Sequence, residues 1–145
     1  MPAMKTVEVE AKLGERFVIE SQVRGHKLFV DQPAAAGGQD FGPTPLEYLF
    51  LSMGGCVGSI GRIVANQKRI PLRGMRVTVS GALDTNTLMG KATENRAGFT
   101  GIIVKVEVDA DLSQEEKQQF LEEIDRRCPV SDNLQNLTRV SFELA

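Results

Sequence analysis

The sequence predicts an α+β domain: antiparallel sheets covered by two helices, in the order βββ-α-ββ-α-β. Period-2 alternation of apolar residues recurs through most of the 145-residue chain, the pattern of half-buried strands. Two segments, opening at Thr44 and Ser113, carry capping-box signatures and continue at helical spacing. The alternating runs are apolar on one parity only, as in antiparallel sheets with a single wet face, and such sheets need a cover for the other face.

From the N-terminus, Val7, Val9, Ala11 and Leu13 alternate with Glu8, Glu10 and Lys12. Phe17, Ile19, Ser21 and Val23 share one parity, and Leu28 and Val30 continue beyond the Arg24-Gly25 turn. The stretch from Gln32 to Gly42 is rich in Ala and Gly and leads straight into the first helix. There Thr44 is the N-cap, Pro45 takes the first helical position and Glu47 the third. Leu46, Leu49, Phe50, Met53, Val57, Ile60 and Val64 follow at helical spacing, with an end expected near Asn66, before Pro71. Tyr48 and Leu51 are apolar on other faces, so this helix is expected to be buried nearly all round.

Met75, Val77 and Val79 form the next strand, and Ile102, Val104, Val106, Val108 and Ala110 the one after. Leu83 to Gly98 joins them as a polar, mobile hairpin connection. The second helix opens at Ser113 with Glu116 closing the capping box, turns Phe120, Leu121 and Ile124 inward, and stops at Cys128, because Pro129 biases its predecessor away from helix. Val140, Phe142 and Leu144 give a last strand. No repeat or linker interrupts the chain, so residues 1–145 read as one domain.

Composition narrows the function. With 41% hydrophobic and 25% charged residues the chain is of ordinary soluble, globular type. A net charge of −2 makes no case for nucleic acid, which requires clustered Lys and Arg. Two cysteines and one histidine are too few for a disulfide scaffold or a standard zinc site, and no cofactor is called for. The N-terminus lacks the apolar core of a signal peptide. The longest apolar stretch, Tyr48 to Gly61, falls short of the ~20 residues of a membrane span and reads as a core helix. The cytoplasm is the expected address.

The two thiols are the obvious reactive groups. Cys56 lies among Gly54, Gly55, Gly58 and Gly61. Each glycine costs a helix interior ~1 kcal/mol relative to alanine, a cost that usually goes with close approach by another helix or a ligand. In that setting Cys56 is either a small buried hydrophobe or a reactive thiol, and reactivity in mid-helix requires a nearby cation. Cys128 continues the inward face of Phe120 and Ile124 and has the same two readings. It sits at a helix C-terminus, whose dipole disfavours a thiolate unless Arg126 and Arg127 offset it. As a pair the thiols suggest a peroxidatic and resolving couple, in which a sulfenic acid condenses with a second thiol. Inward faces would let them meet, and spacing leaves that open. His26, alone at a turn, reads as solvated, and Glu115, Glu116, Glu122 and Glu123 as a solvated helix face.

Gly42-Pro43-Thr44-Pro45-Leu46-Glu47, Gly54-Gly55-Cys56 and Cys128-Pro129-Val130-Ser131 together resemble the OsmC/Ohr family of thiol peroxidases. The resemblance covers nearly the whole chain. It implies an intertwined homodimer with the two long helices packed centrally and sites at the subunit interface. It also implies reduction of organic hydroperoxides, with Cys56 peroxidatic, Cys128 resolving, and a thiol reductant that in the better-known branch is a dihydrolipoyl group on a protein. In that branch a Glu directly follows the Pro and pairs with an Arg that activates the first Cys. Here Leu46 holds that place and the Glu stands at Glu47, nine positions before Cys56. At about 100° per residue this puts the two on opposite helix faces, so Glu47 reads first as the capping partner of Thr44. Arg16 and Arg24, from the N-terminal strands, are the candidates for the activating cation.

The chain therefore resembles the OsmC-like branch more than the organic hydroperoxide resistance enzymes. The expected function is a cytoplasmic, dimeric thiol-dependent peroxidase of the stress-response kind. A pocket lined by Phe50 and Met53 would favour alkyl or lipid hydroperoxides. The alternatives are a non-enzymatic module holding a small apolar or electrophilic ligand, and a peroxide sensor that passes its disulfide to a partner.

Overall fold

The alternating runs near the N-terminus pair as a small sheet in the computed structural model, which describes residues 1–145. The chain divides into two compact units, Met1–Leu49 and Phe50–Ala145.

In the first unit, β1 (Lys12–Leu13), β2 (Ile19–Val23) and β3 (His26–Val30) form an antiparallel sheet in the order β1-β2-β3. Ile19 faces Val30 and Val23 faces His26 across the register. The turn between β2 and β3 needs two left-handed residues, supplied by Arg24 (φ 48°) and Gly25 (φ 86°). The alternation from Val7 to Leu13 yields pairing only at Lys12 and Leu13, with Ser21 Oγ donating to the Glu10 carbonyl at 2.7 Å beyond it.

The Ala- and Gly-rich loop after β3 is organised by Asp31, which is 1% exposed. Its carboxylate accepts the N–H groups of Gln32 (2.7 Å), Gln39 (3.2 Å) and Phe41 (3.1 Å). Burial opposes ionisation of this carboxyl, and the donors from Gln32, Phe41 and Gln39 outweigh it, so the net shift is downward. A depressed folded value means that the stabilisation is present above the unfolded value of about 3.9 and is lost as pH falls through the folded value. Asp31→Asn is therefore expected to unfold more readily at neutral pH and to show a flatter dependence of stability on pH below about 4. Thermal melts of both proteins across pH 2–7 check this.

The first helix, α1 (Pro45–Lys68), opens as the sequence predicts. Thr44 N–H donates to Glu47 Oε1 at 2.8 Å and Glu47 N–H donates to Thr44 Oγ1 at 3.2 Å, a reciprocal capping box. The helix runs two residues past the expected end at Asn66. Arg69 then turns left-handed (φ 56°), and Ile70 N–H closes on the Ala65 carbonyl at 2.8 Å.

The expectation of burial all round is corrected. Met53, Val57, Gly61, Val64 and Ala65 are buried, whereas Leu51 and Ile63 are exposed and a methyl group at Gly55 or Gly58 would meet only open space. One face of α1 is covered by this chain and another is not. By length and composition α1, at 24 residues, is apolar enough to cross a membrane. The stretch from Tyr48 to Gly61 understated it, because the helix continues apolar past Arg62. The buried residues of α1 belong to the hydrophobic core, with 28% of its most apolar window buried.

Within the second unit, β4 (Gly74–Ala82) and β5 (Gly101–Asp109) form a two-stranded antiparallel sheet, paired from Gly74–Asp109 to Ala82–Gly101. Val77, Val79, Val104, Val106 and Val108 pack against the buried residues of α1 and of α2 (Gln114–Arg127). Gly61 permits this approach: a Cβ there would lie 2.6 Å from Met75 Sδ and 3.3 Å from Ile124 Cδ1. The β4–β5 connection, expected to be mobile, is tied around Asp84, which accepts from Asn86 N–H (2.9 Å), Thr93 Oγ1 (2.5 Å) and Asn95 Nδ2 (3.0 Å).

Helix α2 has the predicted Ser113–Glu116 capping box and buries Phe120 and Ile124. At its end the structure departs from the predicted order. A third helix, α3 (Pro129–Gln135), follows, and the expected last strand does not form: Val140, Phe142 and Leu144 are 75%, 97% and 103% exposed. Alternation marks a segment able to join a sheet, but no neighbouring strand of this chain supplies its hydrogen bonds.

Candidate active site

The site is built where α1 crosses the end of α2. Cys56 lies three turns into α1 and packs, half-buried, on the core. Cys128 is 1% exposed and serves twice, as C-cap of α2 and N-cap of α3. Its Sγ lies 2.9 Å from Cys56 Sγ and donates to it. That separation is less than 1 Å longer than a covalent S–S bond of about 2.05 Å. Both cysteines are free thiols.

The electrostatics of Cys128 differ from the sequence expectation. Arg126 and Arg127 do not reach the thiol. Both pair with Glu123, Arg127 Nη1 at 3.3 Å and Arg126 more closely, and Lys68 Nζ lies 3.8 Å from the same carboxylate. Burial works against ionisation of Glu123, but bonding to Arg127 and the charges of Lys68, Arg126 and Arg127 prevail and depress its pKa. Helix α3 supplies what those arginines do not: Ser131 N–H donates to Cys128 Sγ at 3.5 Å, with Val130 N–H adding to it. Burial is nevertheless the largest influence, the bond to Cys56 adds to it, and together they push the Cys128 thiol above its ordinary pKa.

Arg16, in the bend before β2, and Arg24, in the β2–β3 turn, belong to the Met1–Leu49 unit, as does Glu47. The Glu47 carboxylate is occupied at the Thr44 N–H, and this bond, with Thr44 Oγ1, depresses its pKa. In the cysteine-bearing unit Arg62 donates to the Leu72 carbonyl (2.9 Å), Arg96 to the Phe99 carbonyl (3.0 Å), Arg73 to Asp109 and Asp111, and Arg76 pairs with Glu107. None of these bonds reaches a sulfur.

Phe50 is half-buried and stacks on Phe99 with ring centroids 4.6 Å apart, while Met53 is a core residue at 5% exposure. Gly81 gives the aromatic pair room, since a Cβ there would lie 3.3 Å from Phe50 Cζ and 3.2 Å from Phe99 Cδ1.

Sequence reasoning missed α3, and with it the Ser131 N–H at the sulfur. The signal was present in Pro129, which ends one helix but is equally a favoured first residue of the next. The bonds of Asp125 to Ser131 and Gln135 carried no signal of their own, because they depend on how α3 folds back.

These features define the class: an α+β fold with two antiparallel sheets and a pair of free thiols in contact between two helices. Residues 37–143 match the family model of OsmC-like proteins, and the chain belongs to that family. Among solved structures, an OsmC-like protein from Mycoplasma pneumoniae superposes with TM-score 0.80 at 22% identity, covering 92% of this chain and 89% of that one. An organic hydroperoxide resistance protein OsmC from Legionella pneumophila gives TM-score 0.68 at 24% identity, covering 92% of each chain. An organic hydroperoxide resistance protein from Elizabethkingia anophelis gives 0.69 at 19% identity, covering 91% and 89%. At these identities the likeness concerns the fold. Among curated protein sequences none matches.

Proposed function

We propose that the chain is a thiol-dependent peroxidase that reduces organic hydroperoxides through a Cys56–Cys128 disulfide cycle. The observation that carries this reading is the 2.9 Å contact between one half-buried and one fully buried thiol. In the first step the Cys56 thiolate attacks the peroxide O–O bond, giving Cys56 sulfenic acid and an alkoxide that takes a proton to leave as alcohol. In the second, Cys128 Sγ attacks the oxidised sulfur, the S–S bond forms, and the hydroxyl leaves as water with the Cys128 proton. An external dithiol, of the dihydrolipoyl class, returns the disulfide to two thiols by exchange.

The exposures match these roles, since the substrate must reach Cys56 and Cys128 need reach only Cys56. The names of the Legionella and Elizabethkingia structures point the same way. The paired Phe50 and Phe99 rings offer an apolar surface for an alkyl chain. By the family resemblance, the activating cation would come from Arg16 or Arg24.

A homodimer in which the open face of α1 packs on a second copy suits Leu51, Gly55, Gly58 and Ile63, which have no cover in one chain. The cytoplasm, where thiol reductants keep such a pair reduced, suits the cycle.

Titrating reduced protein with an organic hydroperoxide tests the reading: one equivalent should remove both thiols of each chain. Loss of neither thiol, with peroxide unconsumed, would overturn it. The leucine at position 46 favours a second reading, a non-enzymatic ligand-binding module, and that same negative result would support it.

The raised pKa of Cys128 sets a pH dependence for the second step. Attack requires the thiolate, so disulfide closure should accelerate about tenfold per pH unit through neutrality and keep rising beyond about 8.5, the ordinary thiol value. Quenched-flow trapping of free thiols at successive pH values checks this. A plateau below that pH would contradict it.

A further inference from the structure

The corner between α2 and α3 contains a hydrogen-bond network that the cycle does not use, in which the exposed Asp125 and Gln135 close over one buried side chain. Ser131 is 5% exposed, and its Oγ donates to Asp125 Oδ1 at 2.5 Å. Gln135 Nε2 donates both to that carboxylate oxygen, at 3.0 Å, and to Ser131 Oγ, at 2.5 Å. The Asp125 carbonyl accepts the Cys128 N–H at 3.3 Å. Asp125 thus grips the corner twice, by its carbonyl at Cys128 and by its carboxylate at Ser131, whose own N–H points at Cys128 Sγ.

The placement of Asp125 is itself informative. A carboxylate in the last turn of a helix faces the negative end of the dipole, where cations are favoured. The cations of that turn, Arg126 and Arg127, serve Glu123 instead. Ser131 and Gln135 are the donors that offset this position, and the backbone groups of Asp125 and Ser131 are the ones that bond Cys128.

We propose that Ser131, held by Asp125 and Gln135, is a positioning residue that fixes Cys128 Sγ for attack on oxidised Cys56. The proposal rests on the reading of Cys56–Cys128 as the working pair, and predicts that the network governs the second sulfur step and not the first. Without the Ser131 hydroxyl the α2–α3 corner loosens, the Ser131 N–H no longer holds the sulfur, and Cys128 finds its line of attack less often.

A symmetric nitrothiobenzoate disulfide, whose released thiolate is yellow, separates the steps without any peroxide. Cys56 thiolate attacks it, forming a mixed disulfide and releasing one aromatic thiolate. Cys128 then loses its proton to water and attacks Cys56 Sγ, forming the Cys56–Cys128 bond and releasing the second. In the full chain, Ser131→Ala should slow the second release about tenfold, the scale of one hydrogen bond to a charged acceptor, and leave the first unchanged. Asp125→Ala should do the same, and Asp125→Asn, which keeps an acceptor oxygen, should restore most of the rate.

An unchanged second release in both alanine variants would overturn the proposal, as would an equal slowing of both releases, the mark of general loosening. Peroxide consumption by the wild type reports separately on the functional reading. Two-phase release that depends on Ser131, in a protein inert to organic hydroperoxide, would uphold the positioning role while the peroxidase reading fails.

Discussion

Cys56→Ser is expected to abolish organic hydroperoxide consumption, a loss of at least about a thousandfold, while the fold stays intact. A serine hydroxyl is not ionised near neutral pH and cannot form the sulfenic acid on which the cycle depends. The substitution is also small, and Cys56 lies at the edge of the core, so little packing is lost. Cys128→Ser should behave differently. Cys56 would still be oxidised once per chain, but its sulfenic acid would persist, trappable by a sulfenic-acid-specific reagent, and turnover with a dithiol would fall sharply. Steady-state peroxide consumption, run beside trapping and a thermal melt, distinguishes the two variants. Equal loss in both, with no trapped sulfenic acid in Cys128→Ser, would contradict the assignment of roles.

Gly42→Ala is expected to be among the most damaging single-methyl additions in the chain, costing about 3 kcal/mol by overpacking against backbone. A Cβ at Gly42 would lie 2.2 Å from the Phe29 carbonyl oxygen and 2.8 Å from its carbon, and neither is the end of a flexible side chain. That same oxygen accepts the Tyr48 hydroxyl at 2.7 Å, and the adjoining Pro43 carbonyl accepts the Asp31 N–H at 3.1 Å. Moving the loop away from β3 therefore breaks the bonds that fasten the start of α1 to the N-terminal sheet within the Met1–Leu49 unit. Gly14→Ala, with nothing within 4 Å of the added carbon, is the control, and chemical denaturation of both variants reads the difference. Similar stabilities would show that the loop yields where the structure holds it tight.

The fold was legible in the sequence wherever a local rule acted alone. Alternation located β2 to β5, and the reciprocal Thr44–Glu47 and Ser113–Glu116 contacts placed both helix starts. Errors arose where a segment's partner is not local. Val140, Phe142 and Leu144 alternate like a strand but meet no strand in this chain. The open face of α1 is apolar enough to look buried, yet one copy of the chain does not cover it. Asp84 and Asp31 lie among ordinary loop residues, and only the folded backbone turns their donors inward.

The site shows the same division. Both cysteines stand out by their scarcity and by the inward helix positions they occupy, and the structure brings their sulfurs together. Which groups surround them was not legible. Arg126 and Arg127 follow one another just before Cys128, but both turn to Glu123, and the donor at the Cys128 sulfur is a backbone N–H of a helix read only as a stop. Residue type announces the reactive atom, whereas its setting depends on backbone direction after Pro129.

Peptide mapping by mass spectrometry, after one equivalent of an organic hydroperoxide is added to the fully reduced protein, decides whether Cys56 and Cys128 work as a redox pair. The expected product is a disulfide joining the Cys56 and Cys128 peptides of one chain, formed within a single turnover and absent from Cys56→Ser. Peroxide consumed with both thiols still free, or oxidation confined to other residues, would contradict it.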